Sequence, residues 1–196
     1  IVQSSYPSLD IIVSNNGVKR FNRDSFSKLN SKIVFGYCGG DSPEKGFQIL
    51  VKACETLNRH DYSCLLFGNY ANQVELPRNM KYMGEYDSCS EVYDKIDILI
   101  VPSIWEEVQG LVIQEAIMSQ TPVIASDIGG IPEFISSSNG WLVRPNDPVK
   151  LAQKMLDIIH SPDKLIKIKN DMSVLPSNSI EDQVNEFNSF YSNYFN

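Results

Sequence analysis

The chain has 196 residues, of which 42% are hydrophobic and 21% are charged. This composition is typical of a globular protein and argues against a largely disordered one. The formal net charge is −7, and the lysines and arginines form no cluster of the kind that binds nucleic acid or a membrane surface. An anionic ligand would therefore need local positive potential from a lysine or from helix N-termini.

The cysteines indicate a reducing compartment rather than a metal site. Cys38, Cys54, Cys64 and Cys89 form no CxxC pair, and of the two histidines only His60 lies near one of them, four residues before Cys64. This spacing argues against zinc, and we expect free thiols in a cytoplasmic protein. No apolar run approaches the ~20 residues of a membrane-spanning helix. The sequence starts at Ile1 and can be part of a longer protein.

In chain order, short apolar runs alternate with longer amphipathic ones. Runs of the first kind predict strands at 32–38, 62–68, 81–83, 96–102, 122–126 and 140–144. Runs of the second kind predict helices at 45–60, 87–95 and 110–120, a short one beginning at Pro132, and one from Pro148 to about His160, with Asp147 as its N-cap.

This alternation predicts an α/β fold, a Rossmann-like doubly wound parallel sheet of about six strands. We divide the chain into an entry segment with one strand (1–31), the Rossmann-like domain (32–175) and a C-terminal helix (176–196). For the sheet we assume the strand order 3-2-1-4-5-6, in which ligands bind outside the carboxyl ends of strands one and four.

The C-terminal helix carries an aromatic stripe. Its members recur at helical spacing on one face: Phe187, Phe190, Tyr191, Tyr194 and Phe195. The stripe can pack on the core of this domain or on a further domain, and both alternatives stay open.

The loop after the first predicted strand, Gly39 to Gly46, is a candidate phosphate site. It matches neither GxGxxG nor GxxxxGK[ST], which argues against a dinucleotide dehydrogenase and a P-loop NTPase. Gly39 and Gly40 leave the backbone open to a ligand. Lys45 is predicted to start the next helix, where a lysine opposes the helix dipole unless an anion binds there. The alternative is a solvated lysine beside a turn.

The segment after the fourth predicted strand combines helix amides with carboxylates. The amides of Gly110, Leu111 and Val112 would face a diphosphate at the start of a helix, while Glu107 and Glu115 would accept hydrogen bonds from sugar hydroxyls. A nucleotide-sugar carries both kinds of group. The alternative is that acids near a helix start favour its dipole, which explains Glu106 better than Glu115.

At these residues the chain resembles the retaining group 1 glycosyltransferases, over about residues 13 to 150. The similar segments are "SNNGV", "GYCGGDSPEKGFQILVKA", "VPSIWEEVQGLVIQEAIMSQTPVIASDIGGIPEFI" and "NGWLVRPNDPVKLAQKM". The resemblance implies one half of a GT-B fold, namely the carboxyl-terminal domain that binds the nucleotide-sugar.

The resemblance also implies roles for single residues. Lys45 would contact the donor diphosphate, Glu115 would bind ribose, and Glu107 would touch the donor sugar and help to shape the transition state. The loop of Gly84, Glu85 and Tyr86 would lie against the base. The donor would be a UDP- or GDP-linked hexose, with no further cofactor and no metal.

The resemblance further implies partners and a setting. The acceptor site would lie on an amino-terminal domain outside this chain, so this chain alone would be inactive or nearly so. The complete protein would build a surface polysaccharide or glycolipid in the cytoplasm, either unattached or as a peripheral protein at the inner face of the membrane. Two other functions are weighed beside it: a nucleotide-sugar epimerase of related fold, and a non-catalytic nucleotide-sugar-binding domain.

Two residues depart from the family pattern. The family often has arginine where this chain has Gly40, so one diphosphate contact is missing or is supplied by another residue. Phenylalanine is common where this chain has Gln109, which affects local packing and sugar preference.

Overall fold

The computed structural model describes residues 14, 16–19, 32–59, 61–71, 74–108, 110–172 and 179–195. Its six strands are β1 (Ile33–Cys38), β2 (Tyr62–Phe67), β3 (Met80–Gly84), β4 (Ile98–Val101), β5 (Val123–Ser126) and β6 (Gly140–Val143). All pair in parallel, in the order β3-β2-β1-β4-β5-β6. The predicted fold class and the assumed strand order are both confirmed.

In the described part of the chain, six helices accompany the sheet; the first three lie between strands in the chain, and the last three follow β6. They are α1 (Phe47–Leu57), α2 (Cys89–Tyr93), α3 (Leu111–Met118), α4 (Pro148–Ile159), α5 (Pro162–Met172) and α6 (Ile180–Phe195). Short 3-10 turns span Pro43–Lys45 and Ile131–Glu133. The short helix predicted to begin at Pro132 is present as a 3-10 helix that begins one residue earlier, at Ile131.

Both faces of the central strands are buried, as parallel strands covered by helices require. Every residue of β4 and of β5 is buried. Alternate side chains enter different layers: Ile98 and Ile100 pack with residues of α1 and α4, whereas Leu99 and Val101 pack with residues of α2 and α3. The core thus consists of two layers separated by the sheet.

Helix α4 begins as the sequence predicts. Asp147 caps it, with the Lys150 amide donating to Asp147 Oδ1 at 2.9 Å, and Pro148 occupies the first turn, where no amide hydrogen is needed. The sequence analysis assigned no element to α5, although Leu165, Ile168 and Met172 recur at helical spacing and are buried.

Helix α6 is anchored at its first turn. Ser179 and Asp182 cap it reciprocally: the Asp182 amide donates to Ser179 Oγ at 3.1 Å, and the Ser179 amide donates to Asp182 Oδ2 at 2.9 Å. Of the predicted stripe, Phe187 and Tyr191 are exposed, so these two do not dock on the described core.

Part of the sequence analysis lies outside the described residues. The side chains of Tyr194 and Phe195 lie outside them, as does most of the entry segment 1–31, in which Val18 pairs with Ser179 in an isolated bridge. The proposed domain boundaries stay predictions. Within the residues that the structure describes, no helix is both long and apolar enough to cross a bilayer.

Candidate functional site

The site lies where the strand order of the sheet reverses, at the carboxyl ends of the adjacent strands β1 and β4. The chain leaving β1 forms the 3-10 turn that ends at Lys45, and α1 begins at Phe47. The prediction that Lys45 starts the helix is therefore wrong by two residues. The Ile104 amide donates to the Glu44 carbonyl at 2.9 Å, which ties this turn to the segment after β4.

Lys45 and Glu107, 62 positions apart in the sequence, form an ion pair. Lys45 Nζ lies 2.8 Å from Glu107 Oε1, with 46% of the lysine side chain exposed and 10% of the glutamate. The buried Ser103 hydroxyl donates to the same carboxylate oxygen at 2.6 Å. Two hydrogen bonds thus hold the Glu107 carboxylate in place, whereas the Lys45 side chain stays accessible to a ligand.

The backbone around Glu107 is also held. The Gly130 amide donates to the Glu107 carbonyl at 2.7 Å. Gly129 and Gly130 approach so closely that a side chain at either position would collide with the backbone of residues 106–108. The loop after β5 therefore supports the loop that carries Glu107.

Helix α3 points its first turn at the same space. Gly110 precedes the helix, and its carbonyl accepts from the Ile113 amide at 2.8 Å. The first amides of a helix have no partner within it, so the N–H groups of Leu111 and Val112 have no acceptor inside α3. The predicted helix N-terminus at Gly110 is confirmed.

These elements enclose a cavity of about 270 Å³, called here the Lys45 cavity. It is lined by Tyr37, Cys38, Gly39, Lys45, Ile100, Val101, Ser103, Glu107, Gly110, Leu111 and Val112. A larger hollow of about 600 Å³ lies at the opposite edge of the sheet, between the end of α1 and the segment before β3. We place the candidate site at the smaller cavity because it is there that the lysine, the carboxylate and the helix amides meet.

Glu115 lies beside the Lys45 cavity rather than on its wall. The Tyr93 hydroxyl lies 3.0 Å from the Val112 carbonyl and 3.2 Å from Glu115 Oε2. Burial raises the pKa of Glu115, and the hydrogen bond from Tyr93 opposes that rise. The charge of Glu115 in turn helps to raise the pKa of Cys38, Tyr86, Cys89 and Tyr93. Glu115 and these four residues are called here the Glu115 cluster.

Cys38 joins the two regions. It lines the Lys45 cavity, and burial, followed by the charge of Glu115, raises the pKa of its thiol to about 12. Tyr86 lies beside it and meets the Phe67 ring edge-on, with centroids 6.1 Å apart. The predicted site residues Glu115 and Tyr86 therefore lie behind Cys38, which forms part of the cavity wall.

Gly40 forms the turn after β1 but does not line the cavity. Its φ is +61°, and a Cβ there would lie 2.6 Å from the Asn69 carbonyl oxygen. A longer side chain at this position would therefore require a different backbone. Gly84, at the end of β3, has open space around it, and Glu85 beyond it is exposed. Gln109 lies outside the described residues.

Three residues of the site were missed by the sequence analysis: Tyr37, Ser103 and Tyr93. Tyr37 and Tyr93 sit in an apolar and a helical pattern, and the cavity or polar partner of each depends on residues distant in the sequence. Ser103 follows β4 and donates to Glu107, four residues further along the chain. Ser103 and Tyr37 lie within the quoted family segments, which was the usable signal for these two. The described residues contain no group of three or more His, Cys, Asp or Glu arranged to hold a metal.

Comparisons with known proteins agree with this fold. Residues 18–187 match the family model of the glycosyl transferases group 1. The D-inositol 3-phosphate glycosyltransferase of Corynebacterium efficiens is 26% identical over 189 residues, covering 84% of this chain and 44% of that relative. The chain thus spans less than half the length of this curated relative.

Solved structures show the same architecture. Anabaena HepE in complex with UDP superposes with a TM-score of 0.75 at 21% identity, covering 83% of this chain and 49% of that one. The C-terminal domain of LpcC, a glycosyl transferase group 1 family protein from Francisella tularensis, superposes with a TM-score of 0.61 at 26% identity, covering 74% of this chain and 84% of that one. The sheet is therefore that of the GT-B glycosyltransferases, and the chain belongs to the glycosyl transferases group 1.

Proposed function

We propose that this chain is the carboxyl-terminal, donor-binding half of a retaining hexosyltransferase that uses a nucleoside-diphosphate-linked sugar. The observation that carries the proposal is the meeting of Lys45, Glu107 and the first turn of α3 around one cavity at the ends of β1 and β4. An ammonium group and free helix amides suit phosphate oxygens, and a carboxylate suits sugar hydroxyls.

The diphosphate would lie between Lys45 and the amides of Leu111 and Val112. Gly39 lines this wall without a side chain. A lysine ammonium has three donors, so Lys45 can contact a phosphate oxygen while it still touches Glu107. Because the net charge of the chain is −7, these local donors are what would hold an anion there.

The nucleoside would extend toward the Glu115 cluster. Glu115, steadied by Tyr93, would accept hydrogen bonds from the ribose hydroxyls. Tyr86 would lie against the base. The raised pKa of Glu115 indicates a carboxylate that gains from new hydrogen-bond donors, because burial has removed part of its solvation.

In the transfer itself, the bond between the sugar carbon and the diphosphate oxygen breaks, and its electron pair leaves with the diphosphate. Lys45 and the amides of α3 would stabilise the negative charge that develops there. Glu107, fixed by Ser103, would face the positive charge that develops at the sugar carbon. In a retaining transfer the acceptor oxygen then bonds to the sugar carbon on the face that the diphosphate leaves, and the proton of the acceptor hydroxyl passes to the departing diphosphate.

The acceptor would bind to an amino-terminal domain outside this chain. The donor would be UDP- or GDP-linked, with no further cofactor, and the complete enzyme would work in the cytoplasm on a saccharide or a lipid-linked acceptor. Support for a separate carboxyl-terminal domain comes from LpcC, whose C-terminal domain has been solved by itself. Support for a nucleotide-linked donor comes from HepE, which has been solved in complex with UDP.

Calorimetric titration of the 196-residue chain with UDP, GDP, ADP and the matching nucleosides tests the proposal. We expect one nucleoside diphosphate to bind, and to bind more tightly than its nucleoside, because the phosphates contact Lys45 and α3. A chain that releases no heat with any of the three diphosphates would refute the proposed function.

A further inference from the structure

Tyr37 is a buried tyrosine at the wall of the Lys45 cavity. It lies in β1, and only 2% of its surface is exposed. Its ring packs on Phe47 of α1, with centroids 6.1 Å apart. The neighbouring elements therefore fix the ring, and with it the direction in which the hydroxyl points.

The Tyr37 hydroxyl has no hydrogen-bond partner among the described residues. The other fully buried tyrosines there differ in this respect: the Tyr62 hydroxyl reaches the Cys54 carbonyl at 3.5 Å, and the Tyr93 hydroxyl reaches the Val112 carbonyl at 3.0 Å. A buried hydroxyl without a partner destabilises the fold, and phenylalanine would fill the same space without that cost. The hydroxyl therefore calls for a partner that the described residues do not supply.

The hydroxyl lies at the phosphate side of the cavity. A Cβ at Gly39 would come within 2.3 Å of the Tyr37 oxygen, so the hydroxyl sits directly beneath the Gly39 backbone. Tyr37, Gly39, Lys45 and Glu107 all line the same cavity. A side chain at Gly39 would displace the hydroxyl, so glycine at this position leaves room for the hydroxyl itself.

The hydroxyl keeps its proton at neutral pH. Burial raises the pKa of Tyr37, and the nearby Cys38 and Glu107 raise it further. It is therefore available as a hydrogen-bond donor on a wall that already carries the Lys45 ammonium. Several donors that converge on one space suit a group with several acceptor oxygens, such as a diphosphate, better than a single sugar hydroxyl.

We infer that the Tyr37 hydroxyl donates a hydrogen bond to an oxygen of the donor diphosphate, alongside Lys45. The inference rests on the proposed function and adds to it a binding residue that holds the diphosphate in position. It also identifies a donor that can supply the diphosphate contact absent at Gly40.

The variant Tyr37→Phe tests this inference, because it removes one oxygen and keeps the ring. Calorimetry would compare the binding of the nucleoside diphosphate that the wild-type chain prefers with the binding of its nucleoside. A hydrogen bond to a charged group predicts roughly tenfold weaker binding of the diphosphate and unchanged binding of the nucleoside. The melting temperature without ligand should stay the same or rise, since an unpartnered hydroxyl is lost.

Tyr62→Phe is the matched control, since Tyr62 is equally buried but lies at the far end of its strand, away from the cavity. It should leave the binding of the diphosphate unchanged.

Four results would overturn the inference while leaving the proposed function intact: full binding of the diphosphate by Tyr37→Phe, an equal loss for diphosphate and nucleoside, a loss seen only with the sugar-linked diphosphate, or a clear fall in the melting temperature. Failure of the wild-type chain to bind any diphosphate would instead remove the proposed function itself.

Discussion

Two lysine–carboxylate ion pairs with nearly equal N–O distances lie at opposite ends of the strands of the sheet. Lys45 and Glu107 approach to 2.8 Å at the carboxyl edge, and Lys169 and Asp97 approach to 2.9 Å at the amino edge. Their surroundings differ. The Lys169 and Asp97 side chains are only 7% and 5% exposed, whereas Lys45 is 46% exposed.

The buried pair is part of the framework. Asp97 Oδ2 also accepts the Val34 amide at 3.0 Å, and the Asp97 amide donates to the Val34 carbonyl at 2.7 Å. Lys169 thereby connects α5 to the starts of β1 and β4. The accessible pair instead borders a cavity together with helix amides and a hydroxyl that has no partner in the described chain. The distance between the charges is nearly the same in the two pairs. The two pairs differ instead in which neighbouring groups are left to meet a ligand.

The largest expected effect is on stability, at the buried pair. Lys169→Met should lower the free energy of unfolding by ~3–5 kcal/mol, because it leaves the Asp97 carboxylate buried without its cation. Urea denaturation measures this. Adding Asp97→Asn in the same chain should restore part of the loss. A decrease in the free energy of unfolding of less than about 1 kcal/mol would show that water reaches the pair. It would also weaken the contrast between the two ion pairs.

The next effect is on binding, at the accessible pair. Glu107→Gln should keep or improve the affinity for a nucleoside diphosphate, because Lys45 is released from its partner. The ratio of the affinity for the nucleotide-sugar to the affinity for the diphosphate should fall roughly tenfold, because a charged acceptor for the sugar is lost. Parallel titrations with the diphosphate and the nucleotide-sugar decide this, and an equal change for both ligands would count against a contact between Glu107 and the sugar.

A smaller effect concerns Glu115 and pH. Since burial raises the pKa of this carboxyl in the folded chain, the folded state binds more protons than the unfolded state between the two pKa values. Stability from this group is thus present below the ordinary pKa and is lost as pH rises through the folded-state pKa. Glu115→Gln should flatten that part of the stability profile and make the ligand-free chain slightly more stable at pH 7.

The same variant should weaken nucleoside binding, because the amide replaces a charged acceptor for ribose hydroxyls. Thermal melts from pH 4 to 8, with and without ligand, report both properties. Unchanged nucleoside affinity would remove Glu115 from the proposed ribose contact.

The smallest effect is expected at a third pair, which is fully on the surface. Lys167 and Asp171 lie 3.2 Å apart on α5, with side chains 79% and 44% exposed. Lys167→Ala should change the free energy of unfolding by only ~0.3–0.5 kcal/mol, with no change in ligand binding. It is the matched control for Lys169→Met on the same helix, and a loss comparable to that variant would mean that burial does not explain the difference between the pairs.

Local patterns were sufficient to predict most of the framework. Apolar runs located the six strands, and the Asp147–Pro148 signal located the start of α4. Helix α5 was missed although Leu165, Ile168 and Met172 follow helical spacing, because charged residues surround them and its buried Lys169 reads as a surface residue until Asp97 is seen beside it. The short helix predicted to begin at Pro132 is a three-residue 3-10 helix that begins at Ile131.

The site was predictable only in part. Lys45, Glu107 and Glu115 were found because charged residues in glycine-rich or apolar segments, and the family pattern, single them out. Tyr37 and Tyr93 were not, since a tyrosine in an apolar run predicts core packing, and only the tertiary structure shows which hydroxyl has a partner. The contact between Lys45 and Glu107 depends on the order of β1 and β4 in the sheet, which spacing alone does not determine.

The most direct test of the account is the binding of a nucleoside diphosphate and of its nucleoside to Lys45→Ala, measured by calorimetry beside the wild-type chain. The account predicts a loss of roughly tenfold or more for the diphosphate, with little change for the nucleoside. Equal losses for the two ligands, or diphosphate affinity equal to that of the wild-type chain, would contradict it.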